Sequence, residues 1–437
     1  MLQELHFRAR QVVYDLRTGL LFRPASMTLW SALLALTLPW LESHPEVERP
    51  LTALLGPYVA GEPGAAQLLL TTIAASVMTT LSVVYSVLLM ALSLASVQFS
   101  PRILGNFLRS RTSQTTVGLF TGTFVYALLV LRTVRTAGDG FVPILAVAAA
   151  LVMALVCLGG LLYALHDIAV SIQANSIADR IACETLAVLD EVMPAGPVDG
   201  QEGSPPLHIP PGATAVVAKA AGYLQLIDHA ALLALAQHQG ATLYLPVAEG
   251  EFAAPGDPLL WVHGGKATDE AWVARARTAF DLGSSRTMQQ DVEFGLRQIV
   301  DVALKAISPA INDPSTACTC IDQLGRVLGE AVQRPVPWSE LGSDSGRLRR
   351  RPPNAFRLID LTFAQLRQYG HGDMAVVLRL LRAATHVARL CVRRGDRDRL
   401  QHHVDLLMAA ARQRFAPPDL EEMLSREAVF RQVLGQA

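Results

Sequence analysis

The chain has 437 residues, 51% of them hydrophobic and 17% charged, and its formal net charge is −1 at pH 7. A charged fraction below the roughly 25% of an ordinary soluble domain favours a membrane protein. The balanced charge provides no basic field for nucleic acid, so we expect no nucleic-acid partner. The five cysteines form no CxxC pair, so we expect reduced thiols, no metal site and no cofactor.

Four apolar segments are long enough to cross a bilayer, whose hydrocarbon core of about 30 Å requires roughly 20 helical residues. They form a predicted transmembrane domain over residues 25–165, after an N-terminal cytoplasmic segment of residues 1–24. No charged side chain lies deep in any span, which argues against an ion-pair-dependent pump. The spans are predicted at residues 25–41, 67–97, 115–131 and 141–165.

The arginine distribution predicts the orientation, because short cytoplasmic loops carry an excess of positive charge. The N-terminal segment has four arginines, and Arg102, Arg109 and Arg111 follow the second span. The loop between the first two spans is mainly acidic. The N-terminus and the region after the fourth span are therefore predicted to face the cytoplasm.

The second span contains the run TTIAASVMTTLSVVYSVLLMALSLASVQFSPR, which repeats a hydroxyl side chain every seven residues up to Ser100. One interpretation is a pore lined by hydroxyl groups. The other is a packing seam, since a 3.5-residue period suits a left-handed helix pair. The span is also longer than a bilayer requires. The pore interpretation assigns the lining to Thr72, Ser76, Thr79, Ser86 and Ser93.

The third span carries a Gly118-x-x-x-Gly122 pattern, which predicts a notch for close helix packing. Arg132 and Arg135 follow at its outer end. Their long side chains are expected to reach the lipid head groups. In an oligomer they would instead ring an outer mouth and favour anions.

A helical extension is predicted over residues 166–193, and a Pro- and Gly-rich linker follows. Short β-branched and aromatic runs broken by turns then predict a small β-barrel-like domain over residues 207–265. Within it, GEFAAPGDPLLWV resembles the barrel-sandwich fold of biotinyl and lipoyl domains. The carrier-lysine hairpin of those domains is missing, so no covalent cofactor is expected.

Residues 269–437 are predicted to form a helical cytoplasmic domain, with residues 333–354 as a loop that contains clustered arginines. Thr287-x-x-Gln290 matches a capping box at the start of one helix. Asn312-Asp313-Pro314 is typical of a helix cap, because Asp favours the N-cap and Pro the first turn. The alternative is an anion or ligand site at that helix N-terminus, formed by Asn312 and Asp313 with Arg286 or Arg297.

Three stretches carry a family resemblance. They are Q-F-S-P-R after the second span, G-Y-L-Q-L-I-D at residues 222–228, and one run that contains both Q-D-V-E-F-G-L-R-Q and S-P-A-I-N-D-P-S-T-A. With them the chain resembles, over nearly its whole length, a bacterial family of predicted membrane proteins catalogued only as a domain of unknown function. The resemblance implies a bacterial inner-membrane protein with four N-terminal spans. It implies no activity.

The predicted fold is thus a mainly α membrane protein, with four transmembrane helices followed by a cytoplasmic region. The first functional hypothesis is a homo-oligomeric channel whose second span lines the pathway and whose cytoplasmic region forms a vestibule or gate. The second is a membrane-anchored sensor or scaffold that binds a small ligand or a partner protein. No catalytic motif is present in the sequence, so an enzyme is not expected.

Overall fold

The computed structural model describes most of the chain, in nine stretches. Ser100, Arg102, Arg109, most of the N-terminal segment and most of the linker lie outside them. The chain divides into two compact units, a membrane unit within residues 8–97 and 101–173 and a C-terminal unit formed mainly by residues 174–437. The described residues are 22–42, 62–98, 111–135, 141–171, 174–196, 207–265, 269–336, 339–343 and 345–436.

Four helices of the membrane unit are long and apolar enough to cross a bilayer, which confirms the predicted spans. The second has 36 residues and would extend about 54 Å, far more than the hydrocarbon core of a bilayer. The fourth continues beyond the predicted end of the span. The helices are α1 (Phe22–Glu42), α2 (Pro63–Gln98), α3 (Arg111–Leu131) and α4 (Ile144–Ser171).

Helices α1 and α3 pack closely at the predicted glycine notch. A Cβ atom on Gly118 would lie 2.7 Å from Met27 Sδ and 2.9 Å from Pro24 Cα. A Cβ atom on Gly122 would lie 2.6 Å from Ser31 Oγ. The absence of side chains at both positions therefore lets the α1 backbone approach α3, and the notch prediction is confirmed.

Helix α2 buries one stripe of apolar side chains in the core of the membrane unit. The buried positions recur at intervals of three and four residues, which places them on one side of a helix with about 3.6 residues per turn. All of them except Val84 pack in one cluster with Phe120, Tyr126 and Val147. The stripe comprises Ala66, Leu70, Ile73, Ala74, Val77, Leu81 and Val84.

In the described residues, the C-terminal unit forms two open β-sheets, so the β-rich region predicted as barrel-like over residues 207–265 does not close into a barrel. One sheet has five strands in the order β1-β5-β3-β8-β7, and the other has three in the order β4-β2-β6. The strands are β1 (Thr214–Val217), β2 (Gly222–Ile227), β3 (Thr242–Leu245), β4 (Phe252–Ala253), β5 (Pro258–His263), β6 (Phe280–Gly283), β7 (Glu340–Ser343) and β8 (Gly346–Arg350).

Three strands come from outside the predicted β domain. Strand β6 follows a short helix and pairs with β2. The hairpin of β7 and β8 lies in the stretch predicted as a loop, and β8 pairs in parallel with β3, with Leu348 opposite Leu243. Leu348 is fully buried in the β core. The arginine-rich stretch can form a strand because alternate residues of β8 face inward, and the central one, Leu348, joins the apolar core.

The helices of the C-terminal unit begin mostly at short acidic or amide side chains. Asp228, Asp269, Asp291, Asn354 and Asp373 each accept a hydrogen bond from the backbone amide three residues later. The helices are α5 (Ala174–Val192), α6 (His229–Gln239), α7 (Glu270–Arg277), α8 (Val292–Ala306), α9 (Pro314–Val332), α10 (Ala355–Gly370), α11 (Met374–Leu390), α12 (Arg394–Arg414) and α13 (Pro417–Gln436).

The start of α8 differs from the predicted capping box. Asp291, not Thr287, is the N-cap residue, and its carboxylate accepts from the Phe294 amide at 2.9 Å. Gln290 instead contacts β2, where its Oε1 accepts from the Ile227 amide at 2.9 Å. The capping-box prediction is therefore wrong, because a tertiary contact occupies the glutamine.

Candidate functional site

The five predicted pore-lining residues of α2 are all exposed on the side of the helix opposite its buried stripe. Val83 and Met90 lie on the same side and are 58% and 72% exposed. Together the seven positions follow strict alternating steps of four and three residues, the spacing of a heptad seam. We call this set the α2 seam: Thr72, Ser76, Thr79, Val83, Ser86, Met90 and Ser93.

Three hydroxyl groups of the α2 seam donate to the backbone of their own helix. Thr72 Oγ1 donates to the Leu68 carbonyl at 2.7 Å, and Thr79 Oγ1 donates to the Ala75 carbonyl at 2.9 Å. Ser86 Oγ donates to the Ser82 carbonyl at 2.9 Å. The protons of these three hydroxyls are thus satisfied inside an apolar segment, while an oxygen lone pair on each stays available to a second helix or to water.

One edge of the α2 seam borders a lateral cleft of about 240 Å³ in the membrane unit. Thr72, Ser76 and Thr80 line it from α2, and Cys157 lines it from α4. No residue in the described lining of the cleft carries a charge. A small polar or apolar molecule would fit such a cleft, whereas a bare ion would find no counter-charge there.

The two predicted outer-mouth arginines lie just beyond α3, and both are exposed. The Arg135 amide donates to the Phe141 carbonyl at 3.0 Å, shortly before α4 begins. Neither guanidinium has an acidic partner among the described residues. Exposure suits a head-group contact and an outer ring equally, so the role of Arg132 and Arg135 stays a prediction.

The Asn312-Asp313-Pro314 turn is a helix cap in the structure. The Asp313 carboxylate accepts from the Thr316 amide at 3.1 Å and from the Thr316 hydroxyl at 2.6 Å. These bonds lower the pKa of Asp313 below its usual value, with the hydroxyl bond the larger cause. Asn312 is exposed, and its left-handed φ of 51° lets the Asp313 amide reach the Ala306 carbonyl at 2.8 Å. The turn therefore ends α8 and starts α9.

The predicted ligand set is not assembled around this turn. Arg286 forms a bidentate ion pair with Asp291 at the start of α8, at 2.8 and 2.9 Å. Asp313 follows the other end of that 15-residue helix, about 22 Å away. Arg297 lies roughly 13 Å before the helix end. The intervening helix holds Arg286 and Arg297 away from Asn312 and Asp313, so the structure does not bring these residues together into one site.

The structure instead brings two of the resemblance motifs together through the bond from Ile227 to Gln290. Beside this contact lies a buried polar cluster in which Glu249 Oε1 is 3.4 Å from His229 Nε2 and 3.7 Å from an Arg350 nitrogen. Burial raises the pKa of Glu249. The adjoining cavity measures about 70 Å³, which is room for a few waters and not for an organic ligand.

A larger groove, absent from the sequence-based candidates, lies between helices α9, α11 and α13. Its volume is about 740 Å³, within the range of small-molecule sites. Four arginines and one histidine line it: Arg379, Arg382, His386, Arg389 and Arg426. The signal in the sequence is the spacing R-x-x-R-x-x-x-H-x-x-R along α11, which places basic side chains on one helix face.

A comparison with protein-family models matches residues 17–386 to the family described as Predicted membrane protein (DUF2254). The match covers all four spans and most of the C-terminal unit. The chain belongs to this family. The family description agrees with the four apolar helices, so the protein is a membrane protein, as the resemblance implied.

Curated relatives are similar to the chain over most of its length. Uncharacterized proteins of Mycobacterium bovis and Mycobacterium tuberculosis are 33% identical to the chain over 366 residues. The alignments cover 82% of this chain and 70% of each relative. No solved structure matches the chain.

Proposed function

We propose that the protein is a homo-oligomeric channel of the bacterial inner membrane, with the α2 helices around the central pathway. The single observation that carries this proposal is the α2 seam, a heptad-spaced row of exposed positions opposite the side that α2 buries in its own chain. Heptad spacing suits contact between α-helices. A second copy of α2 supplies a helix with the same spacing, and symmetry makes such contacts self-complementary.

The chemistry of the α2 seam favours a weakly selective pathway. Its hydroxyl oxygens accept hydrogen bonds or coordinate a cation, while Val83 and Met90 form apolar rings between the hydroxyl rings. The proposed pathway carries no charge, so it imposes no strong electrostatic preference. In this arrangement Arg132 and Arg135 ring the outer mouth and favour anions, and the C-terminal unit acts as the cytoplasmic vestibule or gate.

Conductance of the full chain in planar bilayers or liposomes tests the channel. Thr79→Leu and Ser86→Leu should lower conductance several-fold, because each replaces a hydroxyl ring by bulkier apolar side chains. Thr71→Leu is the matched control, since Thr71 is also exposed and bonds to the Gln67 carbonyl but lies outside the α2 seam. No flux from native protein under voltage, tension and pH steps, or equal loss with Thr71→Leu, would count against the pathway.

Cysteine cross-linking tests the arrangement of subunits without requiring flux. In a background where the exposed Cys183 is replaced by Ser, Ser86→Cys should give covalent dimers under mild oxidation. Ser82→Cys, one turn away and also exposed, should give far fewer because it lies outside the α2 seam. Equal cross-linking at the two positions would refute a specific contact through the seam.

A second candidate function is a membrane-anchored sensor or scaffold that binds a small ligand or a partner protein. The observation that favours it is the arginine-lined groove between α9, α11 and α13. Ligand binding there is compatible with a channel, since such a site would supply a gating signal. Its test is a broad metabolite screen for thermal stabilisation of the native chain, repeated on groove variants. A screen in which no compound raises the melting temperature would remove this candidate.

A further inference from the structure

We propose that the groove between α9, α11 and α13 binds an organic molecule that carries two or more phosphate groups. Its basic residues along α11 are Arg379, Arg382, His386 and Arg389, spaced three, four and three residues apart. This spacing keeps all four on one helix face, over a length of about 15 Å. Arg426 of α13 adds a fifth basic group from the opposite wall.

The protein balances only part of the charge in the groove. Among the described lining residues, Asp322 of α9 is the one acidic side chain, and its Oδ2 pairs with Arg379 at 2.6 Å. Arg426 pairs at 3.8 Å with Glu422, one turn earlier on α13. Arg382 and Arg389 have no acidic partner within the described part of the chain. Like charges at three- and four-residue spacing destabilise a helix. A bound polyanion would remove that repulsion, in a protein whose formal net charge is only −1.

The rest of the lining favours a molecule with an organic body over a bare anion. Apolar side chains line the groove beside the arginines: Ala375, Leu378, Ala383 and Val429. Gly325 of α9 approaches Ala383 of α11 closely, with a Cβ on Gly325 falling 3.4 Å from the Ala383 Cβ. The close packing of these two helices gives the groove a firm apolar wall, with charged groups along its rim.

The type of cation points to phosphate. Guanidinium groups offer planar, paired donors that match phosphate oxygens, and they stay charged at any physiological pH. The row of arginines spans about 15 Å, so it suits several phosphates and not a single carboxylate. No Phe, Tyr or Trp is among the described residues that line the groove, and base stacking on such residues is the usual means of holding single-stranded nucleic acid. The groove is also concave, which is typical of sites that bind a small molecule and not of sites that bind a partner protein.

The inference rests on the second proposed function and deepens it by assigning a ligand class; it does not require conduction. Calorimetry on the full chain in phosphatidylcholine nanodiscs tests it, with inorganic tripolyphosphate and ATP as probes. Both should bind, ATP more tightly because its nucleoside meets the apolar wall. Arg382→Glu with Arg389→Glu should weaken both at least tenfold. The control is Arg275→Glu with Arg414→Glu, an equal charge change at exposed arginines outside the groove, which should alter affinity less than twofold.

Further measurements distinguish a lipid phosphate from a free one. They also distinguish failure of the phosphate assignment from failure of the ligand-binding function. If phosphatidylglycerol in the nanodiscs abolishes tripolyphosphate binding, the phosphate comes from a lipid head group; if binding is unchanged, it comes from a free ligand. Absence of binding by both probes, or equal weakening in the control variant, overturns the phosphate assignment. If an uncharged or carboxylate metabolite then stabilises the native chain but not the groove variant, the ligand-binding function survives while the phosphate class fails.

Discussion

The Glu42 carboxylate accepts a hydrogen bond from the Ala146 backbone amide at 2.8 Å, although the two residues are 104 positions apart. Its second oxygen accepts from the Leu145 amide at 3.0 Å. Glu42 is the last residue of α1, is only 3% exposed, and lies at the N-terminus of α4. An anion there satisfies amides that have no partner within their own helix, and it complements the helix dipole.

Glu42→Ala should destabilise the membrane unit by about 1–2 kcal/mol, because two backbone amides of α4 lose their acceptor. Thermal unfolding of the full chain in a mild detergent would measure the loss. Glu42→Gln retains one acceptor oxygen, so it should lose clearly less stability than Glu42→Ala. A melting temperature for Glu42→Ala equal to that of native protein would show that water or detergent replaces the carboxylate.

Gly118→Ala should lower the free energy of unfolding by about 1–3 kcal/mol, because the new methyl group would clash with Met27 Sδ and the Pro24 backbone. Gly159→Ala is the matched control in α4, where nothing lies within 4 Å of an added Cβ. The control should be neutral or slightly stabilising, because Ala is the better helix former. The melting temperatures of the two variants in detergent provide the test. Equal changes would contradict a close packing of α1 against α3 at Gly118.

Asp313→Ala should lower the free energy of unfolding by about 1 kcal/mol, because α9 loses its N-cap. Asp313→Asn should lose less stability than Asp313→Ala, because Asn caps a helix about as well as Asp. The lowered pKa of Asp313 adds a pH dependence: its carboxylate stabilises the fold above the usual carboxyl pKa of 3.8, and this contribution disappears as pH falls through the lower native value. Chemical unfolding at pH 7 provides the measurement, and an unchanged stability of Asp313→Ala would refute the cap.

His229 should make stability fall as the solution becomes acidic. Burial, together with the nearby Arg350 cation, lowers the pKa of His229 from 6.5 to about 3. Between these values the unfolded chain binds a proton that the folded chain does not, so stability decreases as pH falls from 6.5 towards 3. The slope from this residue is at most about 1.4 kcal/mol per pH unit.

His229→Gln should therefore flatten the pH dependence of unfolding between pH 6.5 and pH 4. Tryptophan fluorescence reports on the same unit, because Trp272 is buried in its β core. The control is His402→Gln, at an exposed histidine, which should leave the slope unchanged. A native-like slope in His229→Gln would mean that other groups govern the acid response.

Features with a short sequence range could be predicted well. The four spans follow from local hydrophobicity, and the glycine notch and the Asp313 cap follow from residues within one or two helical turns. The seven-residue hydroxyl period is equally local. These predictions succeed because a helix satisfies its backbone internally, so its position and its faces depend on neighbouring residues.

Contacts between distant segments could not be predicted from the sequence. Strand β8 pairs with β3 across about a hundred residues, which turned a predicted loop into part of a sheet. Gln290 does not form the expected capping box, because its side chain accepts a hydrogen bond from the Ile227 amide of β2. Arg286 pairs with Asp291 at the start of α8, whereas Asp313 follows the end of that helix. In each case a tertiary partner competed successfully with the local one.

By itself, the sequence determined that the chain enters a membrane and that α2 carries hydroxyls along one face. The tertiary structure decided which face of α2 its own chain buries, and so left the α2 seam exposed for another partner. It also placed the arginines of α11 in a groove shared with α9 and α13. The physical reason is that helical periodicity defines the faces of a helix, whereas the packing of distant elements selects which face is covered.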